Sequence, residues 1–451
     1  MPGGYFVRQY KARYGMSQEP IKVGMIGLGT VGGGVARLLW HEQDRVARRS
    51  GRPVELVRVA VLDVDKHRDI EVPAGILTNN IQSIVEDPEI TIVLQLMGGS
   101  DDSKVIMEQL LRAGKDVVTA NKALLCIHGV ELFRLANELG RTISFEAAVA
   151  GGVPLIDSVA QSMTANQLAS IEGILNGTSN FILTEMLASG ISYNEALAQA
   201  QQHGYAEADP TMDIDGTDAA QKLVILTQLA FGTRVELNAF PRQGLESLEL
   251  ADLLFASEMG YKVKLLAVAK LVEDKLEVHV QPTLLRKDRI LATTDGPLNS
   301  ILLEGDAVGP VWLSGAGAGR MPTASAVVSD LVSIVTGRAA VSFPHLELFE
   351  SENKFAIQAE EDISRRYYLR FNVEDRPHVL ATLTEILGRH EISIATVIQH
   401  EAPEPNKQPD ATVALVFMTH RTTEGAVRAA ESEFEKLDCL RPPMVRLPVA
   451  D

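Results

Sequence analysis

The sequence predicts an α/β protein of three parts: a doubly wound parallel-sheet domain, an α+β domain and a small C-terminal βαββαβ domain. Its 451 residues exceed what one hydrophobic core usually supports, so two or three domains are expected. Early in the chain, short apolar strand patterns alternate with helical patterns, as in a parallel sheet. Later strand patterns are longer and are not separated by helices, and a strand–helix repeat ends the chain.

Composition narrows the class of protein. The chain has 42 basic and 59 acidic residues and a formal net charge of -17, which argues against a nucleic-acid or anionic-membrane partner. Cys126 and Cys439 are its only cysteines, so no disulfide framework is implied and a reducing cytosol fits. The N-terminal stretch lacks the apolar segment of a secretory signal, and no apolar run approaches the length of a membrane span. We therefore expect a cytoplasmic enzyme.

Changes of pattern along the chain predict five segments. The expected segments are an N-terminal extension (1–20), a nucleotide-binding domain (21–148), a substrate-binding and oligomerisation domain (149–320), a helix returning to the nucleotide domain with a linker (321–364), and a C-terminal domain (365–451).

A glycine turn follows the first strand pattern. The turn carries Gly27, Gly29, Thr30, Val31 and Gly32, and an amphipathic helix pattern comes next. A G-x-G-x-x-G between a strand and a helix is the context of dinucleotide binding. The first glycine permits the tight turn, the second lets the backbone approach a pyrophosphate, and the third lets helix and strand pack closely. The motif predicts a Rossmann-type domain that binds NAD or NADP, against the alternative of a glycine-rich turn in another α/β protein.

The end of the second strand bears on the choice of coenzyme. Asp63 could accept a hydrogen bond from a ribose 2′-hydroxyl, which favours NAD. Lys66 and Arg68 follow closely and could bind a 2′-phosphate instead. Ordinary surface placement of Asp63 is the alternative, and the coenzyme preference stays open.

Further candidate ligand-binding residues follow the later strands of this domain. Gly98 and Ser100 follow one strand, and Lys122 follows the next. In an open α/β sheet the ligand crevice lies at the carboxyl ends of the strands. Lys122 could therefore face a nicotinamide or a substrate carboxylate, whereas a solvated lysine is the plain alternative.

The middle of the chain contains three glycine-rich turns. Glu146 precedes a run of small residues whose carbonyls can turn inward, and one carboxylate with backbone oxygens suits a monovalent hard cation. Gly177 lies in a strand-to-helix turn, and Gly319 ends a loop that leads into a helix and could approach a cofactor closely. Tight connections without a ligand are the alternative in each case.

The acidic stretch GYAEADPTMDIDGTDAAQK, residues 204–222, precedes a helical pattern from about Thr217 to a stop at Gly232. Asp218 and Lys222 are one helical turn apart on the same face. The helix dipole favours a carboxylate in the first turn, and that carboxylate can hold the ammonium in a fixed direction. From this stretch alone, an acidic loop followed by a solvated ion pair is the favoured interpretation, and a functional site is the alternative.

Six motifs in order carry a resemblance to homoserine dehydrogenase: IGLGTVGGGV, TANKALL, FEAAVAGGVPLI, GILNGTSNFIL, GYAEADPTMDIDGTDAAQK and GAGAGRMPTASAVV. They cover residues 21–328. The resemblance implies reversible NAD(P)-dependent interconversion of L-aspartate 4-semialdehyde and L-homoserine, on the route to threonine and methionine.

The resemblance also implies roles for individual residues. Lys222 corresponds to the general acid/base of the family, with Asp218 beside it. The residues around the amino and hydroxyl groups of the substrate would be Glu207, Asp213 and Asp218. Cofactor or substrate contacts would come from Lys122, Gly177 and Gly319. A sodium site would comprise Glu146 and the carbonyls of Val149, Gly151 and Val153.

Two departures from the family pattern are visible. Gln95 stands where members often have glutamate. Leu62 and Asp63 stand at the end of the second strand, where members often carry an arginine, so NAD is moderately favoured over NADP.

The C-terminal segment resembles an ACT domain, a small ligand-sensing module with a ferredoxin-like βαββαβ fold. The strand followed by Asp-x-Pro-x-Val-Leu from Asp375, and a later glycine turn at Gly388, carry this resemblance. His378 replaces the glycine that usually follows the proline, so effector binding has less support than the fold. The domain implies feedback by a pathway product, threonine first, and a homodimer or homotetramer. An oligomerisation module without a ligand is the alternative, and residues 402–410 are expected to form an exposed hairpin loop.

Two other functions fit the sequence less well. A non-catalytic amino-acid sensor on a dehydrogenase scaffold is disfavoured, because a sensor would not need the proton donor Lys222 or both glycine loops. A fusion with aspartate kinase is not expected either, because segment 1–20 is too short to hold a kinase domain.

Overall fold

The computed structural model describes residues 19–207, 209–349, 352–400 and 412–450. The hairpin loop expected at 402–410 lies outside these residues. The chain divides into two compact units. The first comprises Met1–Asn166, Val224–Arg234 and Gly315–Lys354; the second comprises Gln167–Leu223, Val235–Ser314 and Phe355–Asp451.

The first unit contains a six-stranded, all-parallel sheet in the order β3-β2-β1-β4-β5-β6, which is the doubly wound order of dinucleotide-binding folds. Its strands are β1 (Ile21–Ile26), β2 (Val54–Ala60), β3 (Leu77–Thr78), β4 (Ile90–Gln95), β5 (Asp116–Thr119) and β6 (Ile143–Ser144). The central strands are buried on both faces, which is why they are continuously apolar in sequence.

Helices cover this sheet. They are Thr30–His41, Gln43–Ser50, Gln82–Val85, Asp101–Arg112, Lys122–Glu138, Leu155–Asp157 with a π-helical turn Ser158–Ser162, Arg320–Val335 and Arg338–Ser342, with 3-10 turns at Glu146–Ala148 and Phe343–His345. Helix Arg320–Val335 packs against Thr30–His41 at Gly34, where a Cβ atom would lie 2.6 Å from the carbonyl oxygen of Arg320. Glycine at this position therefore permits the close helix contact.

The second unit contains a mixed eleven-stranded sheet. Its main path runs β11-β10-β7-β8-β9-β17-β13-β15-β14, and β12 and β16 pair with β9 and β13. These strands are β7 (Leu168–Ile174), β8 (Tyr261–Val272), β9 (Lys275–Arg286), β10 (Leu298–Gly305), β11 (Gly309–Ala316), β12 (Ala356–Ile357), β13 (Ser364–Glu374), β14 (Ile394–Gln399), β15 (Thr412–Thr419), β16 (Thr422–Thr423) and β17 (Leu440–Ala450).

Helices pack on this second sheet. They are Gly177–Ser189, Tyr193–Gln202, Thr211–Ile214, Leu250–Glu258, Val379–Arg389 and Glu424–Phe434, with 3-10 turns at Ile290–Thr293 and Glu360–Asp362. Helix Thr217–Phe231 contributes residues to both units. Within the described ranges no single helix is long and apolar enough to cross a membrane, although the bent pair Arg320–Val335 and Arg338–His345 passes by length and composition alone.

The C-terminal part of the second unit has the predicted βαββαβ order. Its strands β17-β13-β15-β14 pair antiparallel, and a separate core including Tyr367, Phe371 and Phe434 lies under its two helices. Strand β17 also pairs parallel to β9, with Val449 opposite Leu284, so the sheet continues into the middle of the chain. The predicted fold class is confirmed in all three parts.

Candidate active site

The glycine turn after β1 has the geometry that a diphosphate requires. Gly27 has φ +101°, and a Cβ atom there would lie 2.7 Å from the carbonyl oxygen of Leu96. A Cβ on Gly32 would lie 2.3 Å from the carbonyl oxygen of Gly27. Gly29 caps the helix Thr30–His41 without a side-chain hydrogen bond and has open space around it. The uncapped helix N-terminus and the open approach fit an anionic group.

Asp63 lies three residues beyond the end of β2 and is exposed. Its Oδ1 accepts hydrogen bonds from the backbone amides of Asp65 (2.9 Å) and Lys66 (3.1 Å), so the carboxylate also shapes its own loop. Arg68 donates to the carbonyl oxygens of Asp63 (2.6 Å) and Lys66 (2.7 Å). The guanidinium is thus engaged by the backbone of the same loop.

The other nucleotide-domain candidates lie at the carboxyl ends of neighbouring parallel strands. Gly98 and Ser100 follow β4, and Lys122 follows β5 at the first position of its helix. Asn121 joins the two ends, because its amide donates to the carbonyl of Gly99 at 2.6 Å while its Oδ1 caps the helix at Leu124 N (3.0 Å). The fold therefore brings these residues to one edge of the sheet, as the sequence predicted.

Gly319 precedes the helix Arg320–Val335 with φ +117° and ψ 156°. Residues other than glycine rarely adopt this backbone conformation. Gly177 has a different reason to be glycine, since a Cβ atom there would lie 2.6 Å from the carbonyl oxygen of Pro297. Backbone conformation at Gly319 and close backbone packing at Gly177 therefore each require glycine.

Glu146 is buried, and its carboxylate faces the start of the helical turn at residues 155–157. Its Oε1 accepts from Ile156 N (2.9 Å) and its Oε2 from Asp157 N (2.8 Å). Burial raises the pKa of Glu146 to about 7, and the same amides oppose that rise. The buried Asp330 accepts from Glu146 N at 2.9 Å, and burial followed by the Glu146 charge raises the pKa of Asp330 well above its usual range.

The backbone carbonyls that follow Glu146 are better placed to bind a cation than the Glu146 carboxylate, which already accepts two amide hydrogen bonds. Ala150 and Gly151 are both left-handed, with φ 54° and 45°, and this turns the chain sharply. Val149 and Gly151 are buried, and no backbone amide of the described residues outside regular elements donates to their carbonyls. Val153 O accepts from Leu155 N at 2.8 Å. Among the described residues no group of three His, Cys, Asp or Glu could hold a metal, so an ion here would rely mainly on carbonyl oxygens.

In the second unit, the ion pair predicted from the acidic stretch is present and buried. Lys222 Nζ lies 2.7 Å from Asp218 Oδ2, and the two side chains are 11% and 10% exposed. Lys222 Nζ also donates to the carbonyl oxygen of Leu175 at 2.7 Å. Leu175 follows β7, so the strand end and the helix Thr217–Phe231 together fix the ammonium.

Asn176 organises the carboxylates, and the sequence reasoning gave it no role. Its Nδ2 donates to Asp213 Oδ1 and to Asp218 Oδ2, both at 2.8 Å. Its Oδ1 accepts from Ser179 N at 2.7 Å and so caps the helix Gly177–Ser189. An Asn directly before Gly-Thr-Ser and an apolar helical pattern is an N-cap signal that could have identified it.

The remaining acids of the stretch form no hydrogen bond with this cluster within the described residues. Glu207 is exposed, and its backbone carbonyl accepts from Gln201 Nε2 at 3.2 Å. Asp209 accepts from the hydroxyl of Thr211 at 2.6 Å, and Asp215 accepts from Thr217 N at 2.8 Å. Asp209 and Asp215 are thus loop and capping residues, as predicted. Hydrogen bonds join Asp213, Asp218 and Lys222 through Asn176 Nδ2 and Lys222 Nζ, whereas the Glu207 side chain forms no hydrogen bond with them within the described residues.

The cluster formed by Asn176, Asp213, Asp218 and Lys222 can hold and move a proton. The adjacent carboxylate stabilises the ammonium, and the Leu175 carbonyl fixes its direction. Such a donor can stabilise an oxygen on which negative charge develops, and it works best where water is largely excluded.

Models of known families match three parts of the chain. Residues 27–146 match the NAD-binding domain of homoserine dehydrogenase, residues 154–332 match homoserine dehydrogenase, and residues 367–439 match the ACT domain.

Individual relatives cover nearly the whole chain. A homoserine dehydrogenase of Pseudomonas aeruginosa is 40% identical over 96% of this chain and 99% of its own length, and that of Bacillus subtilis is 37% identical over 90% and 93%. The crystal structure of a homoserine dehydrogenase from Thiobacillus denitrificans superposes with a TM-score of 0.86 at 40% identity, covering 96% of this chain and 99% of that one. A hyperthermophilic archaeal homoserine dehydrogenase in complex with NADPH gives a TM-score of 0.57 at 25% identity, covering 70% and 97%.

Proposed function

The chain belongs to the homoserine dehydrogenase family of oxidoreductases, and we propose that it catalyses the reversible NAD(P)-dependent reduction of L-aspartate 4-semialdehyde to L-homoserine. Family membership confirms the resemblance predicted from the six motifs. The observation that carries the proposed reaction is the buried Lys222–Asp218 pair, held by Asn176 and the Leu175 carbonyl.

In this reaction Lys222 is the proton donor. A nicotinamide coenzyme held at the glycine turn after β1 would supply or accept the hydride, and negative charge would develop on the carbonyl oxygen of the aldehyde. The Lys222 ammonium stabilises that oxygen and protonates it, and in the direction of oxidation the lysine accepts the proton back. Asp218 keeps the ammonium charged and oriented. Asp213 and Glu207 are proposed to bind the amino group of the substrate, which needs an anionic partner.

The loop after β2 supports a preference for NAD over NADP. The family resemblance places Leu62 and Asp63 where an arginine is often found, and Arg68 is held by two carbonyl oxygens of its own loop. A solved archaeal relative is in complex with NADPH, so a preference for NAD would distinguish this chain from that relative. Lys122, Ser100 and the glycines at 27, 29, 32, 98, 177 and 319 are proposed to contact the coenzyme or the substrate.

A sodium ion is proposed at the turn after Glu146. The strongly turned backbone at Ala150 and Gly151, with the buried carbonyls of Val149 and Gly151, supports this site. The Glu146 carboxylate is already bound by two amides, so it would act mainly as a nearby negative charge.

Regulation by an amino acid, threonine first, and assembly as a homodimer or homotetramer are also proposed. The match to the ACT domain supports the regulation, because this module senses amino acids, and it supports the assembly by resemblance, because paired ACT domains usually hold the effector at their interface. The pairing of β17 with β9 places the ACT domain in one continuous sheet with the earlier strands of the second unit.

One assay tests the proposal. Homoserine oxidation is followed by coenzyme absorbance with NAD and with NADP, each with and without L-threonine. We expect activity with both coenzymes, a higher kcat/KM with NAD, and inhibition by threonine. Absence of homoserine-dependent reduction of either coenzyme would refute the dehydrogenase assignment, whereas activity without threonine sensitivity would refute only the regulatory part.

A further inference from the structure

A groove of about 520 Å³ lies in the second unit, where strands β8 and β9 meet the start of β13. Leu266 and Val268 form part of its apolar floor, and Glu277, His279 and Arg365 line it with charged and polar groups. None of these residues belongs to the cluster around Lys222. The volume lies within the usual range for small-molecule sites, about 300–1,000 Å³.

Arg365 has hydrogen-bond donors in this groove without acceptors. It is 8% exposed, and its Nη1 donates to His279 Nε2 at 3.1 Å. Its Nε and Nη2 atoms are buried and form no hydrogen bond within the described part of the chain. The nearest carboxylate, Glu277 Oε1, lies 3.8 Å from Nη2, which is an ion pair but is too long for a hydrogen bond.

His279 contributes a third donor. It is 4% exposed, and its Nδ1 forms no hydrogen bond within the described residues. Burial and the charge of Arg365 lower the pKa of His279 to about 4, so the ring is neutral. Nε2 lies 3.1 Å from Arg365 Nη1 and 3.5 Å from Glu277 Oε1; because the guanidinium can only donate and is the closer group, Nε2 accepts and the proton of the neutral ring is assigned to Nδ1. Buried donors of this kind are costly unless an acceptor fills the site.

The chemistry of these groups selects a class of ligand. The Nε and Nη2 edge of a guanidinium matches the two oxygens of a carboxylate. Glu277 lies beside it with a pKa below its usual range, where neighbouring charges outweigh its burial, so it is ionised and can accept from an ammonium. One cationic and one anionic group side by side match a zwitterion.

We propose that this groove binds an α-amino acid, with its carboxylate on Arg365 and His279 and its ammonium on Glu277. The apolar floor then receives the side chain of the ligand. The site differs from the turn at 375–378 of the ACT domain, and it joins that domain directly to the middle sheet through Arg365 on β13 and His279 on β9.

A ligand here also has a structural route to the catalytic cluster. Glu172 on β7 lines the groove, and three residues later the same strand leads to Leu175, whose carbonyl accepts from Lys222. Occupation of the groove is therefore expected to change kcat. This consequence rests on the proposed function, whereas binding itself does not.

The test is titration calorimetry of the full chain with L-threonine and then with the other proteinogenic amino acids. We expect at least one to bind, and its N-acetyl and carboxamide derivatives to bind at least about tenfold more weakly, because each removes one of the two charges. Arg365→Lys and Glu277→Gln should each weaken binding about 10- to 100-fold. Arg286→Gln, an exposed change at the end of the same β9 strand, should leave the affinity unchanged.

Three outcomes would overturn the proposal. One is the absence of binding by every amino acid at millimolar concentration. Another is binding that survives Arg365→Lys and Glu277→Gln but is lost on substitution of His378 in the ACT turn. The third is a change of oligomeric state in these variants, by sedimentation, without ligand binding, which would assign the groove to a second copy of the chain. Homoserine oxidation is measured in parallel. If the enzyme is active, any of these three outcomes counts against the groove proposal and not against the dehydrogenase assignment.

Discussion

Two buried polar clusters of the second unit differ in how far their hydrogen bonds are satisfied. Around Lys222, the amide of Asn176, the carboxylate of Asp218 and the carbonyl of Leu175 form short bonds of 2.7 to 2.8 Å. Around Arg365, two guanidinium nitrogens and one imidazole nitrogen form none within the described residues. The first cluster is preorganised before any ligand arrives, whereas the second has donors that a ligand can satisfy.

This difference indicates a division of roles. Preorganised charges stabilise a transition state because they need no rearrangement during the reaction. Unsatisfied donors instead gain most when an acceptor binds, which favours ligand affinity. Substitutions in the first cluster should therefore lower turnover, and substitutions in the second should change binding and stability.

The largest effect is expected from Lys222→Ala. Loss of the proton donor should lower kcat for homoserine oxidation about 100- to 10,000-fold, because general acid–base catalysis contributes that much. Coenzyme affinity, measured by fluorescence titration, should stay within about threefold. Lys262→Ala, which removes a half-buried lysine paired with Asp295, is the matched control and should keep wild-type turnover. Near wild-type oxidation by Lys222→Ala would remove the lysine from the mechanism.

The second effect concerns His279 and acid stability. Its pKa is lowered to about 4 in the folded state, so the unfolded chain binds the extra proton between about pH 4 and 6.5. The folding stability associated with the neutral His279 ring is fully present above pH 6.5. It is lost as the pH falls toward 4, by about 3 kcal/mol in total. Thermal melts should show a steeper fall of Tm over this window for wild type than for His279→Gln. Equal slopes would contradict the assignment, and His67→Gln, an exposed control, should match wild type.

The two clusters also differ in how well the sequence reveals them. Asp218 and Lys222 are four residues apart on one helix, so helical periodicity predicts their pairing. The glycine turn at Gly27 is equally local, since a strand, a turn and a helix follow one another in the chain. Such features depend on short-range rules, and the structure shows them as predicted.

Long-range contacts were not predictable in the same way. His279 and Arg365 are 86 residues apart and meet only because β17 joins the ACT sheet to β9. Asn176 and Asp213 are 37 residues apart, and nothing in either segment predicts their hydrogen bond. The orientation of the Glu146 carboxylate toward two amides depends likewise on the three-dimensional path of the turn that follows it.

A smaller effect on turnover is expected from Asn176→Asp. The new carboxylate can still cap the helix through Ser179 N, but it no longer donates to Asp213 and Asp218. We expect kcat/KM to fall about 10- to 100-fold at neutral pH. Activity should partly recover at lower pH, since crowding of like charges raises the pKa of a carboxyl group and protonation restores a donor.

The matched variant is Asn176→Ala, which loses the cap as well. Loss of the cap should cost about 1 kcal/mol of stability at any pH, whereas Asn176→Asp keeps the cap and loses stability through crowding of carboxylates, a loss that should shrink as the pH falls. A pH profile of Asn176→Asp that parallels wild type would show that the amide acts through the helix cap and not through the carboxylates.

The smallest effect is expected from Asp209→Ala. Asp209 is exposed, and within the described part of the chain its side chain bonds only to Thr211 N (3.2 Å) and the Thr211 hydroxyl (2.6 Å) of its own turn. Exposed substitutions of this kind usually change free energies by less than about 0.5 kcal/mol, so kcat/KM should stay within about twofold. Asp213→Ala, only four positions away, should lower kcat/KM at least about tenfold because it removes a carboxylate bound by Asn176. Equal losses in the two variants would mean that the acidic stretch acts through its summed charge, and the contrast between a preorganised cluster and its surroundings would not hold.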